Sequence, residues 1–414
     1  MDASVPTALL EFGEGDVTAV DITLDGPRIA LVEPHADGAT GEVDCKGGIV
    51  MPAFVDMHTH LDKGHIWPRA QNPDGTFNGA LNATVDDWPN WTADELTARM
   101  TFALKAAYAH GTAAIRTHID SRKGEPEATW PLFGSLREEW ADKITLQAVS
   151  LQPIDDVEGN GSALFDQVAP YGGLVGAVLY PSPTTRQKLD ALVRGAEDRG
   201  VDLDFHVDET LDPATNVLAD VAAAAKDVGF SGTVTCGHCC SLMAMEEAKA
   251  LAILDAVAEA SLAIVSLPLC NHYLQDRRAR RTPRIRGGTL VHEMAERGIR
   301  VAIASDNTRD PFYAYGDLDM AEVWREATRT LHLDHPLGDW PRAVTATPAA
   351  IMGLSDRDRL AAGAPADLVV FSARTPSELF ARAQGDRRII RGGRFIDAAP
   401  PAYGELDALW TSPR

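Results

Sequence analysis

The chain has 414 residues, 45% of them apolar and 24% charged, which is too long for one ordinary compact domain but suits one large barrel with a smaller appendage. Its 60 acidic residues against 38 basic ones give a net charge of −22, which disfavours nucleic acid and anionic membranes as partners because phosphates would be repelled. There is no apolar run of membrane-spanning length, the start from Met1 to Pro6 lacks the basic and apolar regions of a secretory signal, and five cysteines fit a reducing compartment better than a disulfide framework, so a cytoplasmic protein is expected.

The first elements read as β-structure. Residues 17–22 and 28–32 are short strand-like runs, with Asp25-Gly26 supplying a turn between them. Residues 53–57 form another such run and lead into His58-Thr59-His60. From Thr92 the pattern changes. Thr92-Ala93-Asp94-Glu95 has capping-box spacing, Leu96, Met100, Ala103 and Ala107 fall on one helical face, and Gly111 stops the helix before a strand over 113–118. Residues 175–180 are a candidate fourth barrel strand. A second helix–glycine–strand unit starts near Thr185, with Leu189, Leu192, Val193 and Ala196 as its stripe, Gly200 as its stop and 201–206 as its strand. A helix from about Met245 precedes a strand over 262–267, and Met294 and Gly298 precede one over 300–305. The chain closes with β-like runs at 366–371 and 388–396.

Alternating helices and strands imply a parallel sheet, and no Gly-x-Gly-x-x-Gly follows a first strand, so an open dinucleotide fold has no support. The expected fold is α/β: a (β/α)8 TIM barrel over 53–354 and, if the two chain ends 1–52 and 355–414 pair, one small β-domain built from both. Cys236, Cys239 and Cys240 read as small packing residues, since no second cysteine pair completes a zinc-finger spacing.

Four clusters at strand ends carry chemistry. His58 and His60 stand two apart on a strand and point the same way. His206 ends its strand with Asp208 and Glu209 just beyond. His238 follows Gly237, a residue that permits close approach of the backbone. Asp306 follows an apolar strand, where a carboxylate is costly unless paired or coordinated. Each has a bland alternative: a surface pair, a solvated loop, a core histidine, a helix cap. Helix caps and core histidines, however, have no reason to collect at one barrel face, and the C-terminal face is where a (β/α)8 barrel keeps its site.

These segments, from Phe54 to Lys63, Arg116 to Asp120, His206 to Glu209, Gly237-His238 and Ser305 to Tyr313, resemble the amidohydrolase superfamily and, within it, the bacterial cytosine deaminase family, in the family's order. The resemblance implies a (β/α)8 TIM barrel with a small β-sandwich formed by both chain ends, and one divalent ion, Zn or Fe, with His58, His60, His206 and Asp306 as ligands. It implies Glu209 as general acid/base for the ring, and His238 with Asp306 as proton carriers. The implied reaction is deamination of a small aminated nitrogen heterocycle, cytosine-like, by a metal-bound hydroxide that releases ammonia. Three positions depart from the family pattern. Gln152 is displaced by one from the glutamine that reads the substrate edge, Asn307 stands in place of a second Asp, and Phe312 in place of a Trp; these three are the candidate substrate contacts. The expected partner is a small heterocycle, and self-association is left open. The alternatives are opening of a cyclic amide or removal of an alkylamine from an aminotriazine, and, more distantly, a non-catalytic binding protein on the same barrel. The candidate fourth strand has no lysine at its end, which argues against the two-metal amidohydrolases.

Overall fold

The computed structural model describes residues 2–36, 41, 43–122 and 127–411. The chain divides into two compact units: Met1–Met57 with Lys105–Ala114 and Leu318–Pro401, and His58–Leu104 with Ile115–Asp317 and Ala402–Arg414.

The first sheet is mixed and draws on both chain ends. From the start come β1 (Ala3–Pro6), β2 (Val17–Asp25), β3 (Arg28–Pro34) and β4 (Gly48–Pro52). The barrel strands follow: β5 (Phe54–Thr59), β6 (Thr112–Asp120), β7 (Thr145–Leu151), β8 (Leu174–Val175), β9 (Val178–Leu179), β10 (Leu203–Val207), β11 (Val234–His238), β12 (Ala263–Ser266) and β13 (Arg300–Ile303). The chain ends in β14 (Leu368–Val370), β15 (Arg388–Arg391) and β16 (Arg394–Phe395). The mixed sheet runs β16-β15-β14-β4-β1-β2-β3. The expected meeting of the two ends is the antiparallel pairing of β4 with β14, Val50 opposite Val370 and Pro52 opposite Leu368. The run read as one strand over 388–396 is a tight hairpin, because Gly392 and Gly393 take φ of 54° and 80°.

The second sheet runs β13-β12-β11-β10-β8-β7-β6-β5 with β9 beside β10. The pairings of β7 with β8, β8 with β10, β10 with β11, β11 with β12 and β12 with β13 are parallel. The parallel bridge of Thr59 with Asp306, and the bond from Asp306 N to His58 O at 2.9 Å, bring the last strand back to the first and close the barrel. This is the (β/α)8 barrel expected from the alternation. The candidate fourth strand is broken at Gly176. A Cβ there would sit 2.2 Å from the Asp204 carbonyl oxygen and 2.8 Å from that of Ser150, so the backbone pinches in and the strand divides into β8 and β9.

The helices follow the apolar stripes. The helix Ala93–His110 buries Leu96, Met100, Ala103 and Ala107, and Gly111 leaves it at φ 96°. Half of the capping box forms, Glu95 N donating to Thr92 Oγ1 at 3.3 Å. The Glu95 carboxylate turns instead to Arg69 and Arg99, at 2.6 and 3.1 Å. The helix Thr185–Glu197 buries Leu189, Leu192, Val193 and Ala196 as expected. All five cysteines are free and buried. Among the described residues no helix is long and apolar enough to cross a membrane.

Candidate active site

Five imidazoles and two carboxylates meet at the C-terminal ends of the barrel strands. β5 delivers His58 and, one residue past it, His60; β6 delivers His118, β10 His206, β11 His238. Asp306 lies just beyond β13 and Glu209 two residues beyond β10. Asp306 Oδ1 lies 3.2 Å from His60 Nε2 and 3.7 Å from His58 Nε2, and His206 Nε2 lies 3.3 Å from His60 Nε2. The sequence-predicted ligand set is thus brought together around one point. His58, His60 and Asp306 form one group with ligand atoms within 4.8 Å of one another, and His58, His118 and His206 another.

The local backbone explains the convergence. Gly237 lies opposite His206 in the β10–β11 ladder, and a Cβ there would fall 2.9 Å from His58 Cε1, so the glycine makes room for an imidazole. His238 and Asp306 leave their strands at φ 71° and 68°, a left-handed conformation that costs a non-glycine residue about 1–3 kcal/mol.

Burial sets the charge states. It holds His58, His60, His118 and His206 well below the ordinary histidine pKa, so their rings are neutral and offer lone pairs. Both ring nitrogens of His58 and of His118, and Nδ1 of His60 and of His206, are buried without a hydrogen-bond partner among the described residues. Burying so many unsatisfied polar atoms together is expensive in a native interior. A cation is the occupant that answers several lone pairs and a carboxylate at once, and the nitrogen and oxygen donors suit a divalent metal. The cluster therefore fits a metal site of the kind the sequence implied.

Glu209 and Asp208, adjacent in sequence, part company. The Asp208 carboxylate accepts from Val217 N at 3.0 Å and Leu218 N at 3.1 Å, starting the helix Val217–Val228; it is structural. Glu209 turns to the site. Burial, then the negative charge of Asp306, raises its carboxyl well above the usual range, with Lys63 opposing. Its Oε1 lies 3.6 Å from His238 Nδ1. Burial also lowers His238 to about 3, and Asn271 Nδ2 stands 3.0 Å from the same Nδ1.

A cavity of about 860 Å³, its mouth included, opens over His60, His206, His238 and Asp306. Its walls are largely flat and apolar, with Phe77, Trp88, Leu151, Val178 and Phe312 among them. Phe312 meets Phe77 edge to face at 5.5 Å. Gln152, Asn307 and Phe312, the three candidate substrate contacts, all line this cavity. Asn307 is engaged on both sides of its amide, donating to Asp310 Oδ2 at 2.8 Å and accepting from Cys270 Sγ at 3.5 Å.

Sequence reasoning passed over three residues here. His118 closes the strand read from the sequence over 113–118 as His206 closes the one over 201–206, and that shared position was the available signal. Asn271 lies on the short helix Pro268–Leu274, where no motif marked it. Lys63 closes the His58–Lys63 segment and lines the cavity.

The sequence pattern of the amidohydrolase family matches residues 41–158 and 94–394. The chain is 52% identical over 400 residues, 96% of its own length, to a pterin deaminase of Rhizobium rhizogenes, of which 92% is covered. The chain belongs to the amidohydrolase family. Within that family it is a hydrolytic deaminase. The N-isopropylammelide isopropyl amidohydrolase of a Pseudomonas species is 26% identical over 91% of this chain and 93% of its own. Among solved structures, 5-methylcytosine deaminase from Klebsiella pneumoniae bound to 5-fluorocytosine shares the fold, with a TM-score of 0.83, 23% identity and coverage of 97% of this chain and 98% of that one.

Proposed function

We propose that this amidohydrolase deaminates a pterin, replacing the exocyclic 2-amino group with an oxo group and releasing ammonia. The observation that carries the reading is the 52% identity to a pterin deaminase across nearly the whole chain. A cavity with largely apolar walls, Phe77, Trp88 and Phe312 among them, lies over the histidine–aspartate cluster and supports it, since aromatic walls suit a flat heterocycle. The cytosine-like chemistry expected from the strand-end motifs is kept, with a larger ring as its object.

In this reading His58, His60, His206 and Asp306 hold one divalent ion, zinc or iron. When bound, such an ion supplies a Lewis acid that makes water a competent nucleophile at neutral pH. The chain's own residues do the rest. Glu209, kept protonated by burial, donates to the ring nitrogen next to the reacting carbon and makes that carbon more electrophilic. His238 is held beside the cluster by Asn271, and in this reading its ring takes a proton from the attacking water. Asp306 and His238 pass that proton to the exocyclic nitrogen. The carbon–nitrogen bond breaks, ammonia leaves, and the hydroxyl proton of the adduct passes to Glu209 as the oxo group forms, while the ring nitrogen keeps the proton it received. The apolar walls stack on the ring and exclude bulk water from the reacting carbon.

The test is ammonia release by the purified enzyme offered pterin, cytosine and N-isopropylammelide in parallel, with metal counted per chain. Pterin is expected to be turned over with the highest kcat/KM, at one ion per chain. Turnover of cytosine or N-isopropylammelide in preference to pterin would overturn the substrate assignment, and two ions per chain the single-metal one.

A further inference from the structure

We propose that Lys63 selects the substrate by donating hydrogen bonds to the ring carbonyl oxygen beside the nitrogen that Glu209 serves, and so admits an oxo group and rejects an amino group at that position. The inference rests on the pterin reading and adds to it a residue that reads one edge of the ring.

The argument starts from a buried charge. Lys63 is 5% exposed and lines the cavity. Its Nζ donates to Asp120 Oδ1 at 2.6 Å and lies 5.6 Å from the centre of the Phe312 ring, itself a cavity wall. An ammonium carries three N–H donors and no acceptor, and among the described residues Asp120 is the one hydrogen-bond partner found for it. Burying a charge with donors to spare is costly unless something completes it. The cavity is where a completing acceptor can come from.

The pair is built to stay in place. One carboxylate, that of Asp62, accepts from Lys63 N through Oδ1 and from Asp120 N through Oδ2, both at 2.9 Å. Asp62 itself is fully buried, and Arg99 is fixed on its carbonyl oxygen. The segment after β5 and the end of β6 are thereby clamped together, and the ammonium is aimed by a frame rather than by its own flexible stem. Lys63 and Glu209 both line the cavity, so one bound ring can meet both.

The chemistry of the ring supplies the acceptor. In the pterin tautomer whose N3 carries no proton, the carbon that bears the amino group, N3 and the C4 carbonyl form one conjugated unit, C2=N3–C4=O, and N3 is open to the proton of Glu209. A nucleophile adding to that carbon pushes electron density through N3 towards the carbonyl oxygen. A donor-only cation at that oxygen favours the charge as it develops. An amino group in the oxygen's place would set donor against donor, and a buried donor left unmatched is what makes hydrogen-bonding sites discriminate strongly.

The experiment compares pterin with 2,4-diaminopteridine and with 2-aminopteridine, which carry an amine and a hydrogen in place of that oxygen. The wild-type enzyme should show kcat/KM on pterin at least about tenfold above either analogue. Lys63→Met should lower kcat/KM on pterin about 10²–10³-fold, leave the analogues within a few-fold of wild type, and keep its metal. A preference in wild type that survives in Lys63→Met, or equal losses on all three substrates, would overturn the proposal and leave Lys63 a structural residue. If Lys63→Met does not fold, the wild-type comparison still decides, because equal rates on pterin and 2-aminopteridine overturn the assignment alone. Failure of wild type to release ammonia from pterin is a different outcome, and it removes the pterin reading itself.

Discussion

The mixed sheet of the chain ends and the strand ends of the barrel bury their residues equally well, yet they bury different things. In the mixed sheet the interior is Val5, Val20, Ile49, Met51, Leu368, Val370 and Ile390, all aliphatic or thioether side chains between paired strands. At the barrel's strand ends the interior is His58, His118, His206, Asp306 and Asp204, each 5% exposed or less. One interior lowers its free energy by removing apolar surface from water. The other gathers buried imidazole nitrogens that lack hydrogen-bond partners, beside a backbone strained at His238 and Asp306. Burial alone says little about function; burial without satisfaction does, because a folded chain does not keep that cost unless a ligand repays it.

The comparison breaks most visibly if the histidine cluster is inert. His206→Ala should abolish turnover and lower bound metal, measured by elemental analysis of the purified variant. Full metal content in that variant would remove His206 from the ligand set. The next effect in size separates chemistry from metal. Glu209→Gln should keep its metal and lose about 10²–10⁴-fold in kcat, and wild-type turnover would take Glu209 out of the mechanism. In wild type the same carboxyl shapes the pH profile. Its pKa is raised in the folded protein, so its proton is held to higher pH than that of an ordinary carboxyl and is lost as pH rises. Activity should therefore fall along the alkaline limb, and the stability linked to that proton should be lost over the same range. A profile still rising through that limb would contradict the assignment. A smaller loss, about 10–100-fold in kcat with metal retained, is expected for Asn271→Ala, which frees the His238 ring.

Much of this was legible in the sequence, for a physical reason. Strands have a period of two and barrel sites lie at one end of the strands, so His58, His60, His206 and Asp306 could be placed on one face without coordinates. What stayed hidden depended on side chains choosing between partners. By residue type alone Asp208 and Glu209 were equivalent, and it took the family resemblance to single out Glu209; in the structure the amides of Val217 and Leu218 claim Asp208. Asn271 sits on a helix whose seven residues carry no periodic signal, and its role appears only when it meets His238. The break at Gly176 is set by carbonyls from two other strands, Asp204 and Ser150, which no reading of residues 175–180 contains. Glu95 fits a capping box by spacing, but a bidentate hold on Arg69 and a bond to Arg99 outweigh one exposed helix-end amide.

The smallest predicted effect is the most demanding of the comparison. Ile390, on β15, is 2% exposed and pairs with Leu368 across the mixed sheet. Ile390→Val removes one methylene-sized group from an apolar interior and should cost about 0.5–1.5 kcal/mol, read as a lowered denaturant midpoint. No polar group loses a partner and no charge changes, so kcat, KM and metal content should stay at wild-type values. If the two interiors differ in kind as argued, a loss of packing in the mixed sheet lowers the amount of folded enzyme but not the activity of each folded molecule. A variant of Ile390 that kept its stability yet lost kcat would mean that the apolar sheet helps to set the geometry of the site, and the contrast between the two regions would fail.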